Sequence, residues 1–191
     1  MRKLSFLFLG FIAIVSFVSC TKENLQTSQT SNQTNSPAFS VTYSEWTMDA
    51  NFDWEDGTAG NNPAKQTNWD AFDLTQQTID GEGVLVYAKS NIDGSIQPMP
   101  TSFTKGTDET VLDFYEFVSI PGFISIIHSK SVDGVFETPA NTNEMSFKFI
   151  FVNPNVAPSN ARIPTNNGSY SLADLRNFSY EEVITLLGIP E

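Results

Sequence analysis

The chain has 191 residues, and its 22 acidic against 10 basic residues give a formal charge of −12. That balance repels phosphate backbones and anionic lipid surfaces, which argues against nucleic acid as a partner. The single cysteine excludes an internal disulfide, the single histidine excludes a multi-histidine metal site, and 16 Phe, 3 Trp and 5 Tyr are too aromatic for a chain disordered throughout.

Met1, Arg2 and Lys3 precede an apolar run from Leu4 to Val18, broken only by Ser5, Gly10 and Ser16. A basic start and a short apolar run form the pattern of a secretory signal. A spanning helix needs about 20 apolar residues, and this run passes straight into a polar tract without a basic stop signal. The run ends in Phe17-Val18-Ser19-Cys20, which resembles the lipobox of bacterial lipoproteins, with Phe17 where leucine is usual. The resemblance implies that residues 1–19 are removed and that Cys20 becomes an acylated first residue, anchored to a membrane. At about 0.8 kcal/mol per buried methylene, more than one acyl chain anchors stably without a transmembrane helix. Thr21 stands where an aspartate would signal inner-membrane retention, so the resemblance points to the outer membrane, on its periplasmic or cell-surface face. Lys22-Glu23 partly matches the surface-export signal of Bacteroidota lipoproteins. Cleavage leaves 172 residues with a formal charge of −14, enough for one domain with a sizeable core.

Residues 20–38 read as the lipidated cysteine and a tether. From Thr21 to Pro37 the chain is almost entirely Thr, Ser, Asn and Gln, with Leu25 its one large apolar residue, and cannot bury enough surface to offset ordering. A flexible coil of that length reaches roughly 20 to 25 Å on average.

From Phe39 the pattern is β. Phe39, Val41 and Tyr43 alternate with Ser40, Thr42 and Ser44, which predicts a half-buried strand leading to Trp46. Val84 to Lys89 is a continuous apolar run entered from Asp80-Gly81-Glu82-Gly83, the pattern of a central strand. Val111 to Val118 places Leu112, Phe114 and Val118 on one face and Val111, Tyr115 and Phe117 on the other. Phe123 to His128 follows across Pro121-Gly122, predicting a hairpin. Met145 to Val152 alternates most clearly: Met145, Phe147, Phe149 and Phe151 share a face, Lys148 is expected at solvent or the sheet edge, and Asn153-Pro154 ends the strand. Ser171 to Leu175 suggests a helical turn. Ser179 followed by Glu182 is a capping box, with Tyr180, Val183, Ile184 and Leu187 on one helical face before Gly188. Residues 39–191 therefore read as one mainly β domain, an antiparallel β-sandwich or barrel-like fold with a short C-terminal α-helix.

Gly83-Val84-Leu85-Val86-Tyr87, Ile96-Gln97-Pro98-Met99-Pro100 and Phe147-Lys148-Phe149-Ile150-Phe151-Val152 together resemble a group of small Bacteroidota lipoproteins of unassigned function. In that group a G-x-V-L-V-Y strand precedes a W-x-x-L-P-like segment, and an F-R/K-x-V-I strand precedes a short C-terminal helix. Here Ile96 and Met99 replace the aromatic residue and the leucine of the middle segment. The resemblance covers roughly residues 80–187 and implies a shared fold and location. Its motifs are core strands and supply no catalytic residue.

Candidate chemistry is sparse. His128 has no G-x-S-x-G nucleophile to serve, and at the end of an apolar strand it reads as structural. Asp49 to Gly57 begins like a calcium loop, but Trp54 stands where the EF-hand requires Gly and Gly60 where it requires Glu, leaving only an irregular cation site to consider. Trp46, Trp54 and Trp69 lie in the same acidic segment, with Trp54 the one expected to be exposed. Trp54 with Asp49, Asn51 and Asp53 forms the speculative ligand-binding set, suited to stacking on a sugar and binding its hydroxyls. Gly81 and Gly83 precede a strand and make no phosphate-binding fingerprint. No metal or cofactor is expected. The sequence thus points to a non-enzymatic interaction or structural lipoprotein whose partners are the membrane, through the lipid, and a surface glycan or protein. A glycan-binding accessory module and a carboxylate-based hydrolase are the alternatives.

Overall fold

The computed structural model describes residues 25–28, 39–105, 108–140, 144–155, 162–165 and 168–191. The leader and Cys20 lie outside them, as does the expected tether except for Leu25–Ser28.

In chain order the first part holds β1 (Leu25–Ser28), β2 (Phe39–Ser44), β3 (Thr47–Met48), β4 (Glu55–Ala59), β5 (Asn62–Ala71) and α1 (Gln76–Asp80). The middle is β6 (Val84–Ser90), β7 (Ile96–Pro98), β8 (Thr101–Lys105), β9 (Asp108–Ile120), β10 (Gly122–Val132), β11 (Val135–Glu137) and β12 (Met145–Pro154). The chain closes with β13 (Arg162–Thr165), β14 (Gly168–Ser171) and α2 (Tyr180–Leu187). One six-stranded sheet runs β1-β2-β12-β6-β7 with β3 beside β12; the second runs β4-β5-β10-β9-β8 with β11 beside β10. Their strand pairs are antiparallel, and the two sheets stack as an open sandwich rather than a closed barrel.

The space between the sheets is filled by the alternation read in β12. Phe147, Phe149 and Phe151 point inward with Val84, Val86 and Ala88 of β6, and meet Ile124, Ile126 and Tyr115 of the second sheet. Trp69 stacks on Phe149 at 4.2 Å between ring centres, tying β5 to β12 across the layers. Each such side chain contributes about 1.5 to 3 kcal/mol by leaving water. The hairpin expected across Pro121-Gly122 is β9–β10, and the central strand expected at Val84 is β6, hydrogen-bonded to β12 and β7.

A third layer covers the other face of the first sheet. Val41, Tyr43, Leu85, Tyr87, Ile150 and Val152 pack there against Leu175, Val183, Ile184 and Leu187 of the C-terminal segment. The expected helical turn is a 3-10 segment over Ala173–Asn177, and α2 has the expected capping box, Ser179 accepting from Glu182 N–H while Glu182 accepts from Ser179 N–H. Gly188 ends it in the left-handed region at φ 66, where glycine carries no steric penalty.

This layer corrects the placement of Lys148. Expected at solvent or a sheet edge, it is 1% exposed, because β12 is central in its sheet and α2 covers its second face. Its ammonium lies between the rings of Tyr43, Trp46 and Tyr180, 5.7 to 5.9 Å from their centres. The same layer makes β2 more than half-buried, since Val41 to Ser44 are all buried. Within the expected tether, Leu25–Ser28 pairs antiparallel with β2, Leu25 opposite Ser44 and Ser28 opposite Val41.

Candidate functional site

β9 and β10 place the site's chemistry. Their pairing sets His128 opposite Tyr115, and Asp113, two residues from Tyr115, projects to the same face. His128 Nε2–H donates to Asp113 Oδ1 at 2.7 Å, and the Tyr115 ring stacks on the imidazole at 4.3 Å with 17° between planes. Trp54 closes the other side, edge-on to His128 at 6.1 Å and to Phe52 at 6.3 Å. The imidazole is thus fixed by one hydrogen bond and two rings, and is 5% exposed.

Asp113 and Tyr115 also form the floor of a cleft of about 310 Å³. Its walls come from the β6–β7 turn with Asp93 and Ser95, from Gln97 of β7, from Phe103 of β8, and from Glu144 at the head of β12. Asp93 is held below the usual carboxylate range, chiefly by the Ser95 N–H and then by the hydroxyls of Ser95 and Ser90. Tyr115 is pushed well above the usual phenol range, first by burial and then by the charges of Asp113, Asp49 and Glu144. The lining combines carboxylates, hydroxyls and an amide with an apolar wall at Phe103.

The residues singled out in the sequence fall beside this cleft rather than in it. Asp49 and Asn51 belong to a 3-10 turn; Asp49 is buried, while Asn51 and Asp53 face solvent. Trp54 is half-buried instead of exposed. Its indole N–H donates to the Asp49 carbonyl at 2.8 Å, and its ring supports His128, so its faces are committed within the fold. Among the described residues no group of three or more His, Cys, Asp or Glu is arranged to hold a metal ion. The Asp113–His128 pair was missed, although the turn at Pro121-Gly122 carried the signal. Counting outward from that turn sets residue 128 opposite 115 and puts 113 on the same face.

No protein-family model matches the chain, no curated protein matches its sequence, and no solved structure matches its fold. The function is therefore argued from the cleft.

Proposed function

We propose that this chain is a lipid-anchored lipoprotein of the Bacteroidota type whose β domain binds a ligand, without chemistry, at the cleft over Asp113. The anchor rests on the lipobox-like Phe17-Val18-Ser19-Cys20 after a basic and apolar leader. Binding rather than catalysis rests on His128: the imidazole meets Asp113, but among the described residues no hydroxyl or thiol is hydrogen-bonded to it as a nucleophile would be.

The observation that carries the ligand class is the lining. Carboxylates at Asp93, Asp113 and Glu144 accept hydrogen bonds, the Gln97 amide and the serine hydroxyls both donate and accept, and Phe103 offers an apolar wall. This mixture suits a neutral polyhydroxylated ligand, a glycan. At about 30 Å³ per water the cleft holds roughly ten waters, the scale of one or two sugar units.

Two experiments test the two halves separately. Metabolic labelling with a fatty-acid analogue should mark the wild type and leave Cys20→Ala unlabelled; equal labelling of both ends the lipoprotein reading. A glycan array probed with the domain should lose its signal in Gln97→Ala and Asp113→Asn and keep it in Asn51→Ala and Asp53→Ala. Binding abolished by the second pair but not the first would return the site to the acidic loop.

A further inference from the structure

The helical layer carries a second concavity. α2 turns Tyr180, Val183, Ile184 and Leu187 into the core and leaves Glu181, Glu182, Thr185 and Leu186 on its other side. There Tyr170 of β14 meets Phe178, the residue before the cap of α2, with 4.8 Å between ring centres and 87° between planes. Phe178 packs in part on the core, whereas Tyr170 stays 39% exposed. The two rings and the outer side of α2 line an open groove of about 450 Å³, which shares no lining residue with the cleft over Asp113.

Two rings at right angles form a corner whose π faces attract a cation. The charges agree. No lysine or arginine is among the described residues that line the groove, and its two glutamates outweigh the partial positive charge of roughly half a unit at the start of α2. None of the ion pairs among the described residues includes either glutamate. Glu182 already accepts from Ser179 N–H, so Glu181 is the carboxylate left for a ligand. The carbon surface of Tyr170, Phe178 and Leu186 selects the kind of cation: a primary ammonium brings three N–H donors that need acceptors, whereas methyl groups on a quaternary nitrogen carry the charge and pack on carbon.

We propose that this corner binds the head of a quaternary ammonium cation, with Tyr170 and Phe178 against its methyl groups and Glu181 as its counter-ion. At about 30 Å³ per water the groove holds roughly fifteen waters, more than a trimethylammonium head fills, so a short tail lies beside the head. Thr185 offers that tail a hydroxyl, and the glutamates repel a phosphate or carboxylate on it. The ligand is therefore a free amino alcohol of the choline type rather than a phospholipid headgroup. This site is independent of glycan binding at the cleft.

The test titrates the full chain, purified in a maltoside detergent, with choline and with 3,3-dimethylbutan-1-ol, which has the same shape but no charge. Saturation-transfer NMR reads the methyl singlet that both probes carry, with detergent alone as the blank. Choline should bind about tenfold more tightly than the alcohol, the order expected of a cation–π corner with a counter-ion. Tyr170→Leu, which keeps an apolar side chain, and Glu181→Gln should each weaken choline several-fold and leave the alcohol unchanged. Both residues are exposed and neither belongs to the capping box, so unaltered thermal melts will show that the fold is kept. Equal binding of the two probes, no saturable binding of choline, or choline binding untouched in both variants overturns the site. Phosphocholine binding more tightly than choline overturns the free amino alcohol as ligand and assigns the corner to a lipid headgroup.

Discussion

The ammonium of Lys148 lies 5.7 Å from the centre of the Tyr180 ring, under α2, and none of the ion pairs among the described residues includes it. Cation–π attraction offsets part of the cost of removing the charge from water, but contacts near 6 Å are weak, whereas desolvation costs several kcal/mol per ion. The alkyl stem, by contrast, fills space in a packed layer.

Lys148→Met should therefore leave stability unchanged or raise it, while Lys148→Ala should cost about 2 to 5 kcal/mol through the cavity it opens. Urea melts of the two variants separate the contributions. If methionine proves as damaging as alanine, the charge itself holds α2 in place. Phe149→Ala on the opposite face of the strand should cost about 3 to 5 kcal/mol.

The contrast between these neighbours shows what the sequence could and could not disclose. The period-two pattern of β12 gave the inward face correctly, because a phenylalanine at every second position has only one economical place. It said nothing about the second face, where Lys148, Ile150 and Val152 are covered by a helix, Tyr180–Leu187, that begins about thirty residues later in the chain. The capping box of α2 was legible for a local reason, Ser179 and Glu182 being three residues apart. β4 and β5 were not, since Asn62 to Ala71 buries chiefly Ala64, Thr67 and Ala71, small residues that leave no apolar alternation. The site was half legible: Trp54 drew notice as an aromatic in an acidic segment, but its partner His128 is brought to it only by β10 pairing with β5 and β9.

Gly83 is where α1, β6 and β12 converge. Its carbonyl accepts from Val152 N–H at 2.8 Å and its N–H donates to the Thr78 carbonyl at 2.9 Å. A Cβ at this position would collide with the Val152 carbonyl oxygen, which belongs to the backbone and cannot rotate away. Gly83→Ala should lower stability by more than about 3 kcal/mol, in the range reserved for core and backbone disruption. Thermal melts showing a loss below about 0.5 kcal/mol would mean that β6 approaches β12 less closely than this.

Tyr87 and Tyr115 should ionise only when the fold is lost. Burial raises both phenols well above their ordinary value of 10.0, with Tyr180 and Glu181 adding to the effect at Tyr87 and Asp113 at Tyr115. A raised folded value means stability fully present below pH 10 and lost progressively as pH rises above it, because the unfolded chain releases those protons first. An ultraviolet titration should show late phenolate absorbance that coincides with unfolding by circular dichroism. Tyr87→Phe and Tyr115→Phe should each remove one proton from that late step; a phenolate signal completed before unfolding would show that both rings are accessible.

Asp174 offers the opposite dependence. Its carboxylate accepts from both the hydroxyl and the N–H of Ser171, each at 2.8 Å, and closes the turn that leads from β14 into the helical layer. The Ser171 hydroxyl, then the Ser171 N–H, hold the group below its ordinary value of 3.8, with Arg162 contributing less. For a depressed acid the linked stability is present above the unfolded value and disappears as pH falls through the folded one. Asp174→Asn should therefore melt below the wild type at neutral pH, and the gap should close as the pH drops below 3.8. Asp174→Ser, which restores a short acceptor without the charge, should recover only part of the difference at neutral pH. If the gap between wild type and Asp174→Asn stays constant down to the acid limit of folding, the carboxylate acts through shape alone, and the charge-assisted bonds to Ser171 contribute nothing to the turn.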